Sequence, residues 1–202
     1  MKSSSQASPR PAGRTGSAPA ISRLGFALLG LLTHAPASGY DLRRMFATTA
    51  MGTFSDSPGA IYPALARLER QGFIRGRVEK SGLRQRQVFQ VTASGQEALR
   101  LWLRQPIQRN DLVHGSDSLM LRFAFMDNVV GRDASVEFLR RLAAALESYV
   151  AELREYLEQH QSEMPVSAML ALEAGIRGYE TTLQWAHHGL EVYERIAKGG
   201  MR

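Results

Sequence analysis

The 202-residue sequence predicts a mainly α fold with one small β-hairpin, in which an N-terminal unit of short helices precedes a C-terminal unit of long ones. Three observations carry this. Apolar residues recur at helical spacing through most of the chain; residues 73–91 alternate loosely instead, on both sides of Ser81-Gly82; and two runs beyond residue 138 keep a 3,4 alternation over many turns.

The first helix follows from Ile21, Leu24, Leu28, Leu31 and Leu32, and Pro36 prevents its continuation. Ser38 caps a second helix with Asp41 three residues on, close to a capping box, and Leu42, Met45 and Phe46 form its inner face. Ser57-Pro58 opens a third, with Ile61, Leu65 and Leu68 as its buried stripe and Gly72 as a left-handed stop. Pro63 falls inside that helix, where it lacks an N–H and crowds the carbonyl of Gly59, so the first turns are expected to be bent. Residues 73–79 and 84–91 are the two strands of a hairpin with a very basic tip. Thr92 then caps a helix with Ala98, Leu99, Trp102 and Leu103 on its inner side. Residues 105–115, with Pro106, Asn110, Asp111 and Gly115, read as the connection between the two units.

Composition narrows the function classes. With no cysteine, disulfide scaffolds, thiolate zinc sites and cysteine nucleophiles are excluded, and a reducing cytoplasm is the expected location. The longest apolar run, Leu24 to Leu32, is nine residues, about half of a bilayer span, so no membrane segment is expected. The net charge of +6 is unevenly spread: +3 in residues 1–20, +7 in 21–105 (12 basic against 5 acidic), and −4 in 106–202. Arginine supplies 22 of the 25 basic residues, and arginine bonds phosphates and guanine edges bidentately, so a polyanion is the first partner to test. Residues 1–20, rich in serine and proline and poor in apolar side chains, read as a disordered basic tail. The divisions are therefore 1–20, 21–105 and 106–202.

Three short helices followed by a hairpin make a winged helix-turn-helix. In that arrangement the third helix enters the major groove and the wing reaches the neighbouring backbone or minor groove. The candidate DNA-binding residues are Ser38, Tyr40, Ser57, Gly59, Tyr62, Pro63, Arg67 and Arg70, with Lys80, Arg84 and Arg86 on the wing. Arg75 and Arg77 add to the wing's charge. Winged helices also serve as protein-interaction adapters without DNA, and that alternative stays open at this point.

Four strings carry a more specific resemblance: Leu29-Gly30-Leu31-Leu32, Ser38-Gly39-Tyr40-Asp41-Leu42, residues 59–74 around Ile61-Tyr62-Pro63-Ala64-Leu65, and Val88-Phe89-Gln90-Val91-Thr92-Ala93-Ser94-Gly95. Over about residues 22–104 the chain resembles the PadR-like transcriptional regulators. Phe89 stands where that family usually has tyrosine, which removes a hydroxyl. The resemblance implies a dimeric repressor, with the Tyr62 helix in the groove and a wing tip after Lys80.

The C-terminal part supports a dimer on separate grounds. Leu139, Leu142, Leu146, Tyr149, Leu153 and Tyr156 form one seam; Met169, Leu172, Ile176, Tyr179, Leu183, Ala186, Leu190, Tyr193 and Ala197 form another. The last helix, from Pro165 to near Lys198, spans roughly 50 Å at about 1.5 Å per residue and needs a partner surface. An antiparallel pair packed on its copy would space two recognition helices by about 34 Å, one turn of an inverted-repeat operator. The relative orientation of these helices in the dimer stays open. In the resemblance this region is the dimerisation domain, with Gly175-Ile176 and Trp185 in its last helix.

The resemblance also implies a small hydrophobic or aromatic effector. Trp102, Phe123, Met126, Tyr179 and Trp185, with Phe125 and Tyr149, are candidates to frame its pocket, and Arg122 or His187-His188 to meet a carboxylate or phenolate. No nucleophile elbow, Walker loop or His-Glu-x-x-His motif is found, so no enzymatic activity and no cofactor are expected. The histidines at 34, 114, 160, 187 and 188 lack zinc-ligand spacing and the aspartates are scattered, so no metal is expected either.

Overall fold

The computed structural model describes residues 21–48, 58–81 and 84–199, with the backbone alone for Pro58, Lys80, Ser81 and Arg84. The basic tail of residues 1–20 and the expected cap Ser57 lie outside the described residues. Ser22 starts α1 (Arg23–His34) by accepting the Gly25 N–H at 3.2 Å. The helix is mean-apolar because it is buried on most sides: Ala27, Leu28, Leu29 and Leu32 are all in the core. Ala35 is extended and ends it.

The reading of Ser38 and Asp41 as a capping box holds in both directions. The Ser38 hydroxyl oxygen accepts the Asp41 N–H at 3.2 Å, and the Asp41 carboxylate accepts the Ser38 N–H at 3.3 Å and its O–H at 2.7 Å. This opens α2 (Gly39–Thr48), which buries Leu42 and Phe46; Met45, expected on the inner face, is 39% exposed.

The third helix starts later than its sequence signals suggest. Pro58–Ala60 is a single 3-10 turn, and α3 runs from Ile61 to Arg70. Pro63 is thus third in the α-helix rather than in its interior, where its missing N–H has no intrahelical partner to lose. The irregularity expected from Pro63 falls upstream, in the 3-10 turn. At the other end Gly72 adopts φ +77, the Gly72 N–H donates to Glu69 O and the Phe73 N–H to Leu68 O, both at 2.9 Å. Those two bonds are a Schellman stop, which favours glycine.

The sheet has one strand more than the sequence suggests. β1 (Ala37–Ser38) pairs antiparallel with β3 (Arg84–Val91), which in turn pairs with β2 (Ile74–Ser81), giving the order β1-β3-β2. Register runs from Ile74 opposite Val91 to Ser81 opposite Arg84, with Ala37 opposite Phe89 on the far side. Two residues are too few to show a period of two, so β1 leaves no sequence trace. α4 (Ala93–Leu103) begins as expected at Thr92, whose hydroxyl accepts the Gly95 N–H at 3.1 Å.

The connection at 105–115 contains a short helix, α5 (Arg109–His114), because Asp111 accepts the Gln108 N–H at 2.8 Å and Leu112 is buried. It leads into α6 (Ser116–Val129), then α7 (Arg132–His160) and α8 (Val166–Gly199). α7 and α8 are antiparallel: Tyr149 meets Tyr179 edge-on at 4.9 Å, Arg154 Nε donates to Glu180 at 2.9 Å, and His187 lies 3.2 Å from Glu147. Of the 34 residues of α8 only Ile176 and Ala186 are buried, so most of its apolar seam is half-covered. No helix among the described residues is long and apolar enough to cross a membrane.

α6 lies at the centre. One continuous core joins α1, α3, α4, α6 and α7 and reaches Ala186 on α8. Phe26 and Trp102 stack at 4.3 Å between α1 and α4. Where α1 crosses α6, Gly30 faces Phe125 so closely that an added methyl would lie 2.5 Å from its ring. Because that ring is buried in the core, Gly30→Ala is expected to destabilise the protein by about 1–3 kcal/mol, read as a lowered midpoint in denaturant unfolding.

Candidate nucleic-acid interface

α3 divides cleanly between two faces. Ile61, Ala64, Leu65 and Leu68 are buried, whereas Tyr62, Pro63, Ala66, Arg67 and Arg70 are exposed at helical spacing. The Tyr62 ring, 50% exposed, lies against the start of α2, where an added methyl on Gly39 would come within 2.7 Å of its Cε1. Tyr40 is exposed to 66% at the same end of α2. An aromatic ring held on one side and open on the other, with two guanidinium groups further along the helix, suits contacts to base edges and phosphates.

The wing flanks this face. Arg75 and Arg77 are exposed on β2, and the backbone places Lys80 and Arg84 at the far ends of the paired strands β2 and β3. Arg86 is not free: it lies 3.9 Å from Asp41 and 3.7 Å from Glu79, both weak, half-exposed pairs. Of the other predicted contacts, Gly59 is exposed, next to the 3-10 turn's end. Ser38 is turned inward, 6% exposed, with its hydroxyl committed to Asp41. Sequence reasoning missed Arg43 and Arg44, exposed on α2, and Glu69, whose carboxylate accepts the Gly76 N–H of β2 at 2.8 Å. An acidic residue in the last turn of a helix, against the macrodipole, was the available signal for Glu69.

Comparison with known proteins finds two matches along the chain. Residues 28–101 match the transcriptional regulator PadR-like family, and residues 117–194 match the virulence activator alpha C-terminal family. Residues 28–101 thus form a segment similar to the PadR-like regulators. It is 32% identical over 122 residues to the negative transcriptional regulator PadR of Bacillus subtilis (strain 168), a match covering 59% of this chain and 65% of that relative. Among solved structures, Bacillus subtilis PadR in complex with operator DNA is 24% identical over 84% of this chain and 97% of that one, with a TM-score of 0.40. The same protein with p-coumaric acid is 23% identical over 86% and 99%, with a TM-score of 0.39. The family consists of DNA-binding transcriptional regulators, not enzymes.

In this PadR-like chain the side chains singled out for an effector do not converge on one place. Trp102 stacks on Phe26; Phe123 meets Trp185 at 5.2 Å and Tyr193 at 6.5 Å in an aromatic cluster. Met126 lines a cavity of about 250 Å³ with Leu103, Ile107, Arg122 and Phe138. Tyr179 lines a groove of about 360 Å³ with Leu112, Met120, Leu146, Gly175 and Gly178. Burial raises the Tyr179 phenol above its ordinary value, and the neighbouring Tyr149 adds to this. His187 pairs with Glu147 and His188 is exposed, so neither faces a cavity wall named above.

Asp41 holds its carboxyl below the ordinary value of 3.8, chiefly through the Ser38 hydroxyl; partial burial opposes this, and the Ser38 N–H, Arg86 and Arg44 add to it. A depressed folded value gives stability that is present above the unfolded value and lost as pH falls through the folded one. Ser38→Ala is therefore expected to cost about 1 kcal/mol at neutral pH. It should also flatten the fall in stability below about pH 4, measured as denaturant midpoints at several pH values.

Proposed function

We propose that this chain is a homodimeric repressor that reads an inverted-repeat operator through α3, sets its wing on the adjacent backbone, and is released by a small hydrophobic or aromatic ligand. The observation that carries the reading is the exposed Tyr62, Pro63, Arg67 and Arg70 face beside Arg75 and Arg77, in a segment of net charge +7. Residues 21–105 read DNA and residues 106–202 dimerise and hold the effector, inside the cytoplasm. The repressor sense is supported by the negative regulator of Bacillus subtilis that the chain matches. The dimer is supported by α8, whose Met169, Leu172, Leu183 and Leu190 remain half-covered and whose Leu170 is 52% exposed. The cavity beside Met126, where Leu103, Ile107, Met126 and Phe138 share the lining with Arg104, Arg122, Arg141 and Glu137, is the better effector site of the two: it combines apolar walls with cations that suit an acidic ligand.

Fluorescence anisotropy against the DNA upstream of its own gene and a scrambled duplex, at two salt concentrations, tests the DNA reading. Tight, salt-dependent preference for the upstream fragment is expected. Tyr62→Ala and Arg67→Ala should weaken that fragment more than random DNA, by about 1–3 kcal/mol each. Replacing Arg75 and Arg77 by alanine should weaken all sequences alike and lower the salt slope by about one per lost phosphate contact. Absence of any salt-linked DNA binding would leave a protein-interaction adapter. Sedimentation equilibrium should return twice the chain mass of 22.4 kDa.

A further inference from the structure

Two parts of the interface, α3 and the wing, are joined in sequence by a tight turn at residues 71–73, and one side chain braces them across it. Glu69, in the last turn of α3, uses both carboxylate oxygens: Oε1 accepts the Gly76 N–H of β2 at 2.8 Å, and Oε2 accepts Gln87 Nε2 of β3 at 3.5 Å. β2 is an outer strand in the order β1-β3-β2, so alternate N–H groups point away from the ladder. The carboxylate takes the one at Gly76. A methyl on Gly76 would lie 2.6 Å from Glu69 Oε1 and 2.4 Å from Gln87 Nε2, so the approach depends on glycine.

Electrostatics argues against an acid here. The helix C-terminus disfavours it, and Arg67 and Arg70 on either side are the cations offered to a polyanion. We propose that Glu69 is a positioning residue: it fixes the angle between α3 and the wing so that both engage one duplex together. This rests on the DNA-binding reading above. The two accounts of Glu69 differ in sign. As a mere charge near DNA it weakens binding, and its removal tightens the complex; as a strut, its removal loosens it.

The test uses the full-length protein and a duplex that the wild type selects from random sequence. Glu69→Ala is expected to weaken binding to that duplex about tenfold, while Glu69→Gln, which keeps an acceptor for Gly76, stays within about threefold. Gly76→Ala keeps the Glu69 carboxylate but pushes it away from the strand, and should match Glu69→Ala. A double-mutant cycle supplies a readout that a purely structural role would not move. Replacing Arg75 and Arg77 by alanine should cost the wild type much more affinity and salt slope than it costs Glu69→Ala, whose wing is already disengaged. Equal costs in the two backgrounds, or unchanged or tighter binding by Glu69→Ala and Gly76→Ala, would overturn the proposal. Failure of the wild type to select any duplex would instead overturn the DNA reading beneath it. Circular dichroism of each variant checks the fold, and should Glu69→Ala fail to fold, Gly76→Ala carries the same comparison.

Discussion

A guanidinium removed from water holds the two ends of this protein in one body. Arg122 of α6 is 4% exposed; its Nη2 donates to the main-chain carbonyls of Leu103 at 3.2 Å and of Gln105, at the end of α4, and its charge lies 5.2 Å from the Phe138 ring of α7. Burial lowers its pKa, and Asp111 opposes that fall. The carbonyls at a helix C-terminus carry partial negative charge and lack intrahelical donors, so a cation there does what a further turn of helix would have done. Nε is left without a partner. A buried group tied this way resists substitution, because any neutral replacement strands the carbonyls as well.

From that anchor the remaining geometry follows in both directions. Towards the N-terminus, α6 packs on α1 at Gly30 and Phe125, and α1 supports α3 through the shared core. Towards the C-terminus, α6 and α7 are pinned at their elbow by Asp127, which accepts the Ser135 hydroxyl and, at 2.8 Å, the Tyr193 hydroxyl of α8. Burial raises the Tyr193 phenol above its usual value, and its bond to Asp127 adds to that, so it stays a donor at neutral pH. The orientation of α3 is thus connected to the long helices through packed side chains rather than through a loose linker.

Features set by neighbours in sequence were legible there. The α3 stripe, the Gly72 stop, the Ser38–Asp41 box and the Thr92 cap each depend on residues within a few positions, and all appear as read. What was not legible depends on distant chain. α6 buries Leu119, Leu121, Arg122, Phe125 and Met126 on more than one side, because it is packed between α1 and α4 on one hand and α7 on the other, so no single apolar stripe marks it. The charge of the wing was visible, but not that Arg86 leans on Asp41, 45 positions away. The aromatic residues read as candidates to frame one effector pocket; their division between a stack, a cluster and two cavities is decided by helix packing.

The order β1-β3-β2 has a consequence for behaviour at high local concentration. A sheet grows by adding strands at an open edge, and β1 already occupies one side of β3 for part of its length. The longer outer edge is β2, an eight-residue strand whose outward N–H and C=O groups are a template for its counterpart on another molecule. There the Gly76 N–H is already taken by a carboxylate, and Arg75 and Arg77 are exposed beside it. Two molecules approaching edge to edge therefore meet a capped and like-charged strand, which disfavours a continuous β-ribbon.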